Sequence, residues 1–222
     1  MQEFDTAGPV SVVLEIPAGT IRLIATDRTD ATVEIEPADA GKKRDVKAVS
    51  QTAVEYRDGA LRIATADPHR VLGGSGSLNV TIGLPAGSRF EGKAGAAELR
   101  STGRLGEVAF DGGYRTVELD EAAGVRLSVH TGTVSVARLT GSAQISNGMG
   151  DVTVAEAVAG EVVLRTGSGN LSVGAAPGVS ATLDAATSRG RISNALKNTD
   201  GAGAALKIKA TTDHGDISGH SR

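Results

Sequence analysis

An apolar residue returns along the second half of the chain at Val134, Val152, Leu171, Ile192 and Ile217, at steps of 18, 19, 21 and 25 residues, and Leu99 and Val117 carry the same column upstream. Two positions before it stands a glycine in four of the units: Gly150, Gly169, Gly190 and Gly215. Between glycine and column sits Asp151, Asn170, Arg191 or Asp216. Five positions before the column come Asn147, Thr166, Thr187 and Thr212, with Thr131 joining if its turn is two residues shorter. A unit of this length holds two strands of four or five residues, which cannot enclose a core, so successive units must stack and bury one another. Each glycine supplies a corner with positive φ, where Val or Thr would be strained. Each Thr can hydrogen-bond neighbouring backbone and stack on the Thr above.

Elsewhere the apolar period is two. Val10–Ile16, Thr20–Ile24, Ala31–Ile35, Ala60–Ile63 and Leu78–Leu84 alternate or nearly so, and each is bounded by Gly, Pro or Asp. The fold class is therefore all-β: stacked short strands forming a β-solenoid or β-helix-like repeat domain with rungs of about 17–21 residues, with an antiparallel two-sheet β roll as the alternative. The 33 alanines suit a thin core. Residues 1–85 read as an opening β layer and 86–222 as the regular stack, continuous rather than hinged. Val12–Gly19 and Val80–Gly87 echo each other at an offset of 68, each a strand ending in Pro-Ala-Gly. Residues 37–50, 67–77 and 197–204 read as exposed excursions.

Composition removes several function classes. The chain has no Cys, which excludes disulfides, thiol nucleophiles and Cys-based metal sites. Its five aromatics (Phe4, Tyr56, Phe90, Phe110, Tyr114) poorly supply a ring-lined pocket or a base-stacking platform. With 23 basic and 26 acidic residues the net charge is −3, so no basic field draws in nucleic acid. No apolar run is long enough to insert in a membrane, and the acidic Met1–Asp5 start is not a signal peptide. With Met1 as the native start, the expected location is cytoplasmic.

The opening Phe4–Val10 segment, the stretch Ile24–Val33, the Leu84–Ser88 strand end and the repeated Gly-Asp/Asn-Val/Leu/Ile units together resemble the bacterial β-strand-repeat family called the putative adhesin or toastrack domain. The likeness covers nearly the whole chain and is closest to short, unanchored members. It implies an all-β stacked-strand fold with no catalytic residue set, and links to envelope-stress signalling or adhesin-like contacts.

No residue cluster argues strongly for chemistry. The Gly-x-Gly-Asp units differ from nonapeptide calcium repeats in period, and Arg191 interrupts their acidic column, so they read as structural turns. Gly73–Ser77 leads into a strand, where a phosphate loop would open a helix. His214, Asp216 and Ser218 share a strand face at spacings too long for a triad. The four histidines have no partner at metal-ligand spacing, and Lys42–Arg44 reads as a solvated loop. No cofactor or metal is expected, and no enzyme activity. A carbohydrate contact is the runner-up reading: Glu118 and Asp120 share a strand face about 7 Å apart, with Tyr114 and Arg115 nearby. The leading reading is a non-catalytic interaction module with a protein partner or self-association through an open strand edge. That edge is expected at the final rung, Leu206–Ser218, around Lys207, Ile208 and Lys209.

Overall fold

A computed structural model describes residues 1–66 and 76–222. Among these residues eighteen strands form one long, mostly parallel sheet folded back on itself as a two-faced solenoid. Apolar alternation becomes burial directly: in β10 (Val134–Leu139) Val134, Val136 and Leu139 point inward and Ser135 and Arg138 outward. Long strands run across both faces and bend at their centres. β2 (Ser11–Thr26) bends near Pro17 and Gly19, and its two halves pair with the two halves of β7 (Arg89–Thr102), from Ser11↔Arg89 to Ile24↔Thr102. That register carries the sheet from the opening layer into the regular stack without a break. Val12 thus meets Phe90, so the echo at an offset of 68 is not a stacking register.

One face stacks β7, β8 (Arg104–Gly112), the second half of β9 (Val117–Thr131), β11 (Ala143–Met149) and β13 (Gly160–Ser168). The other stacks the first half of β9, β10, β12 (Val152–Ala157) and β14 (Leu171–Ala175). The apolar column is real: Leu99↔Val117, Val117↔Val134, Val134↔Val152 and Val152↔Leu171 are in register. Asn147, Thr166, Thr212 and Thr187 are likewise stacked, but the place before Asn147 is taken by Val129, not Thr131.

The opening end is finished differently. β3 (Asp30–Pro37) lies antiparallel on β6 (Leu78–Pro85), β1 (Gln2–Asp5) antiparallel on β3, and β4 (Thr52–Arg57) antiparallel on β5 (Ala60–Thr65). A helix, α1 (Lys43–Ser50), covers this end where an irregular excursion was expected. Its Asp45 is buried and accepts the Ser77 N–H at 3.0 Å. Most of the Gly73–Ser77 run, and His69, lie outside the described residues. Among the described residues no helix is long and apolar enough to cross a membrane.

At the far end the spatial order departs from the chain order. The last rung in sequence, β17 (Leu206–His214) and β18 (Ile217–Ser221), is not the last in space. It is inserted between β13/β14 on one side and β15 (Ala181–Arg189) with β16 (Ile192–Ala195) on the other. The expectation of an open edge at Lys207, Ile208 and Lys209 is therefore corrected. Ile208 is paired on both sides and buried, and Lys209 Nζ bonds Glu161 of the neighbouring strand at 2.8 Å. The open rung is 181–195, and Ile192, the column residue there, is 47% exposed while Ile217 beneath it is 1% exposed.

Candidate contact surfaces

The corner ladder shows what the repeated Thr, Gly and Asp are for. Gly150, Gly169, Gly215 and Gly190 all have positive φ, between +125° and +155°. A Cβ at any of them would collide with the carbonyl oxygen of the corner glycine in the preceding rung. Those carbonyls also receive the ladder side chains: Thr166 Oγ1 donates to Gly150 O, Thr212 Oγ1 to Gly169 O, both at 3.1 Å, and Thr187 Oγ1 to Gly215 O at 3.0 Å. One position on, the side-chain oxygens of Asp151, Asn170 and Asp216 accept the backbone N–H of Asn170, Asp216 and Arg191 in turn, at 2.7–2.9 Å. In space Arg191 ends this row rather than interrupting it. The carboxylates are committed to backbone N–H groups, so their role is structural. Asp216 is held below the ordinary carboxylate range, first by the Arg191 N–H and then by the Arg191 guanidinium, against an opposing effect of burial.

The four residues of the carbohydrate reading are not gathered into one hollow. Glu118 pairs with Arg100 at 2.9 Å, and Arg100 also bonds Glu98, an outward row of alternating charge. Asp120 accepts the Gly103 N–H at 2.8 Å, and its own N–H donates to Ser101 Oγ at 3.2 Å. Tyr114 and Arg115 lie on a corner loop, with the Tyr114 ring stacked on His130 at 5.3 Å and 6°. They line a hollow of about 260 Å³ with Asn79 and Thr20, which includes neither Glu118 nor Asp120. Nor do His214, Asp216 and Ser218 form a triad: Ser218 Oγ bonds Ser172 Oγ at 3.1 Å and Asp216 serves the ladder. Among the described residues no group of three or more His, Cys, Asp or Glu could hold a metal ion.

Two surfaces escaped sequence reasoning. The first is a trough on the outer side of β7, β8, β9, β11 and β13, made of two adjoining hollows of about 640 and 350 Å³ that share Glu91, Ala109, Arg126 and Gln144. Its floor is low because Ala109 and Ser142 are small, and its walls carry Arg89, Glu107, Lys93 and Asp111. The second is the open end. The Leu206 N–H donates to the Ser180 carbonyl, so in a parallel pair the even-numbered residues of β15 face β17. The N–H groups of Leu183 and Ala185 then point away from the stack.

No family model and no curated protein matches the chain. Solved structures do. A putative adhesin from Parabacteroides distasonis is 12% identical over 98% of this chain and 95% of its own, with a TM-score of 0.50. A putative adhesin from Bacteroides fragilis is 16% identical over 98% and 95%, with a TM-score of 0.46. A putative cell adhesion protein from Clostridium sporogenes is 12% identical over 100% and 98%, with a TM-score of 0.43. At such identities the likeness is one of fold, carried by the Parabacteroides distasonis protein, and the resemblance read from the sequence is met at that level.

Proposed function

We propose that the protein is a non-catalytic contact module that works by strand addition at its open end, rung 181–195. The observation that carries this reading is the asymmetry of the two ends. The opening end is finished with the short, charged antiparallel strands β1 and β4 and with helix α1, devices that blunt an edge. At the other end β15 and β16 pair on one side only among the described residues, contain no proline, and leave Ile192 exposed with Leu183 and Leu196 only partly covered. The occupant that fits is a second copy of the chain. A two-fold axis perpendicular to the two faces would pair β15 with its own mate and β16 with its own mate, antiparallel, and so extend both faces at once.

Replacing Ala185 by Pro removes an N–H that faces outward and leaves the bonds to β17 in place. Sedimentation of the unaltered chain at about 100 µM, near the weak end of specific association, should show a dimer, and Ala185→Pro should shift it to monomer with an unchanged far-UV CD spectrum. A chain that stays monomeric over the whole concentration range, or a dimer indifferent to Ala185→Pro, refutes the reading.

A further inference from the structure

We infer that the trough across β7, β8, β9, β11 and β13 is a binding groove for a neutral oligosaccharide, a site separate from the open end. The first observation is a contrast in how the two faces treat their charges. On the β10/β12 face the outward charges are paired across strands, as in Glu98–Arg100–Glu118 and Glu121–Arg138–Glu156. Around the trough only Glu161 is paired, with Lys209, while Arg89, Glu91, Lys93, Glu107, Asp111 and Arg126 make no side-chain hydrogen bond or ion pair among the described residues. A sheet that neutralises its surface charges on one side and leaves six of them unpaired around a hollow on the other has donors and acceptors there to offer a ligand.

Charge balance then selects the ligand's class. Arg89, Lys93 and Arg126 oppose Glu91, Glu107 and Asp111, and the fourth lining carboxylate, Glu161, is neutralised by Lys209, so the walls carry no net field to favour a polyanion or a polycation. Guanidinium and ammonium groups only donate, and carboxylates only accept, whereas a hydroxyl does both. A polyol can therefore accept from Arg126 and donate to Glu91 with neighbouring hydroxyls, while Gln144 serves either role. A protein partner would want an apolar, aromatic-rich centre. The trough offers no exposed aromatic ring, since Phe90 and Phe110 are buried in the core beneath it.

Shape agrees with an extended chain. The two hollows share Glu91, Ala109, Arg126 and Gln144, so they form one trough. It runs over five neighbouring strands, about 19 Å at the ordinary strand spacing of ~4.8 Å. Outward residues line up from strand to strand in register, with Glu91↔Ala109, Ala109↔Arg126 and Arg126↔Gln144 in one row and Lys93↔Asp111 and Asp111↔Ser128 in the next. Successive sugar units laid across the strands would meet at least one polar group at each step, Asp111 serving where Ala109 leaves the floor low. Without a ring to stack on, each contact is weak, and dissociation constants of about 0.1–5 mM are expected.

The test is a titration of 15N-labelled protein with maltohexaose, cellohexaose, chitohexaose and mannohexaose up to about 10 mM, beside oligogalacturonate and heparin as charged probes. At least one neutral hexaose should shift trough amides in a saturable way. Arg126→Ala and Gln144→Ala should each weaken it about fivefold, Ser142→Trp should fill the hollow and abolish it, and Arg138→Ala on the opposite face should change nothing. All four sites are exposed, and far-UV CD checks that the fold persists. No saturable shift with any neutral hexaose, an affinity indifferent to the trough variants, or binding of either charged probe tenfold tighter than every hexaose overturns the inference. Sedimentation of the trough variants should be unaltered, so this failure and that of the open-end reading are read separately.

Discussion

Replacing Gly169 by Ala probes the corner ladder at an interior rung. Gly169 has φ +149°, and L residues forced to positive φ lose about 1–3 kcal/mol. The added Cβ would also sit inside the contact distance of the Gly150 carbonyl, with the Asp151 N at 3.0 Å. Either the rungs separate or the Gly150 carbonyl rotates, and rotation sacrifices its 3.1 Å bond from Thr166, in a buried setting. Either route adds about 1 kcal/mol, as a lost hydrogen bond or as the strain of parting the rungs, for a total near 2–4 kcal/mol. Gly178 is the internal control: its φ is +78°, but nothing lies within 4 Å of a Cβ there, so Gly178→Ala should cost only the conformational ~1–2 kcal/mol. Urea unfolding followed by far-UV CD measures both. If the two variants fall within about 0.5 kcal/mol of each other, the stacked carbonyl is not what excludes a side chain at the corner.

Two further outcomes follow from the same ladder. Thr212→Val keeps the shape but removes the hydroxyl that serves the Gly169 carbonyl from a residue 1% exposed, and should lower stability by about 1–2 kcal/mol in the same urea assay. Asp216 has a folded pKa depressed below its ordinary 3.8, so its contribution is present above that value and is lost as pH falls through the lower folded value. The thermal midpoints of the parent and Asp216→Asn should therefore differ most at neutral pH and converge as pH falls below 3.8, and a difference that does not change with pH would contradict the assignment.

The rungs were legible because their signals are local. Gly, Thr and an apolar residue at fixed offsets report a corner and a strand whichever rung lies next door. The order of stacking was not legible, because equivalent rungs offer the same inward column: both Ile192 and Ile217 can follow Leu171, and the structure places Ile217 there. One residue did bear on it. Asp151, Asn170 and Asp216 each accept the next rung's N–H, and an arginine cannot, so the row of accepting side chains ends at the rung bearing Arg191. Helix α1 went unread because Lys43–Ser50 is a short charged run, and its one inward carboxylate, Asp45, finds its partner 32 residues away at Ser77. The trough joins residues as distant as Arg89 and Gln144, and it depends on which side chains are small on neighbouring strands.

The inserted rung also bears on how the molecule is made. Residues 181–195 rest in the finished molecule on a surface that 206–221 form, β15 on β17 and β16 on β18. The outer rung therefore reaches its final register only once the chain beyond it has docked on β13 and β14. Sequence order and assembly order part company here, and a chain halted at residue 205 would leave residues 181–195 without the neighbours they have in the finished molecule.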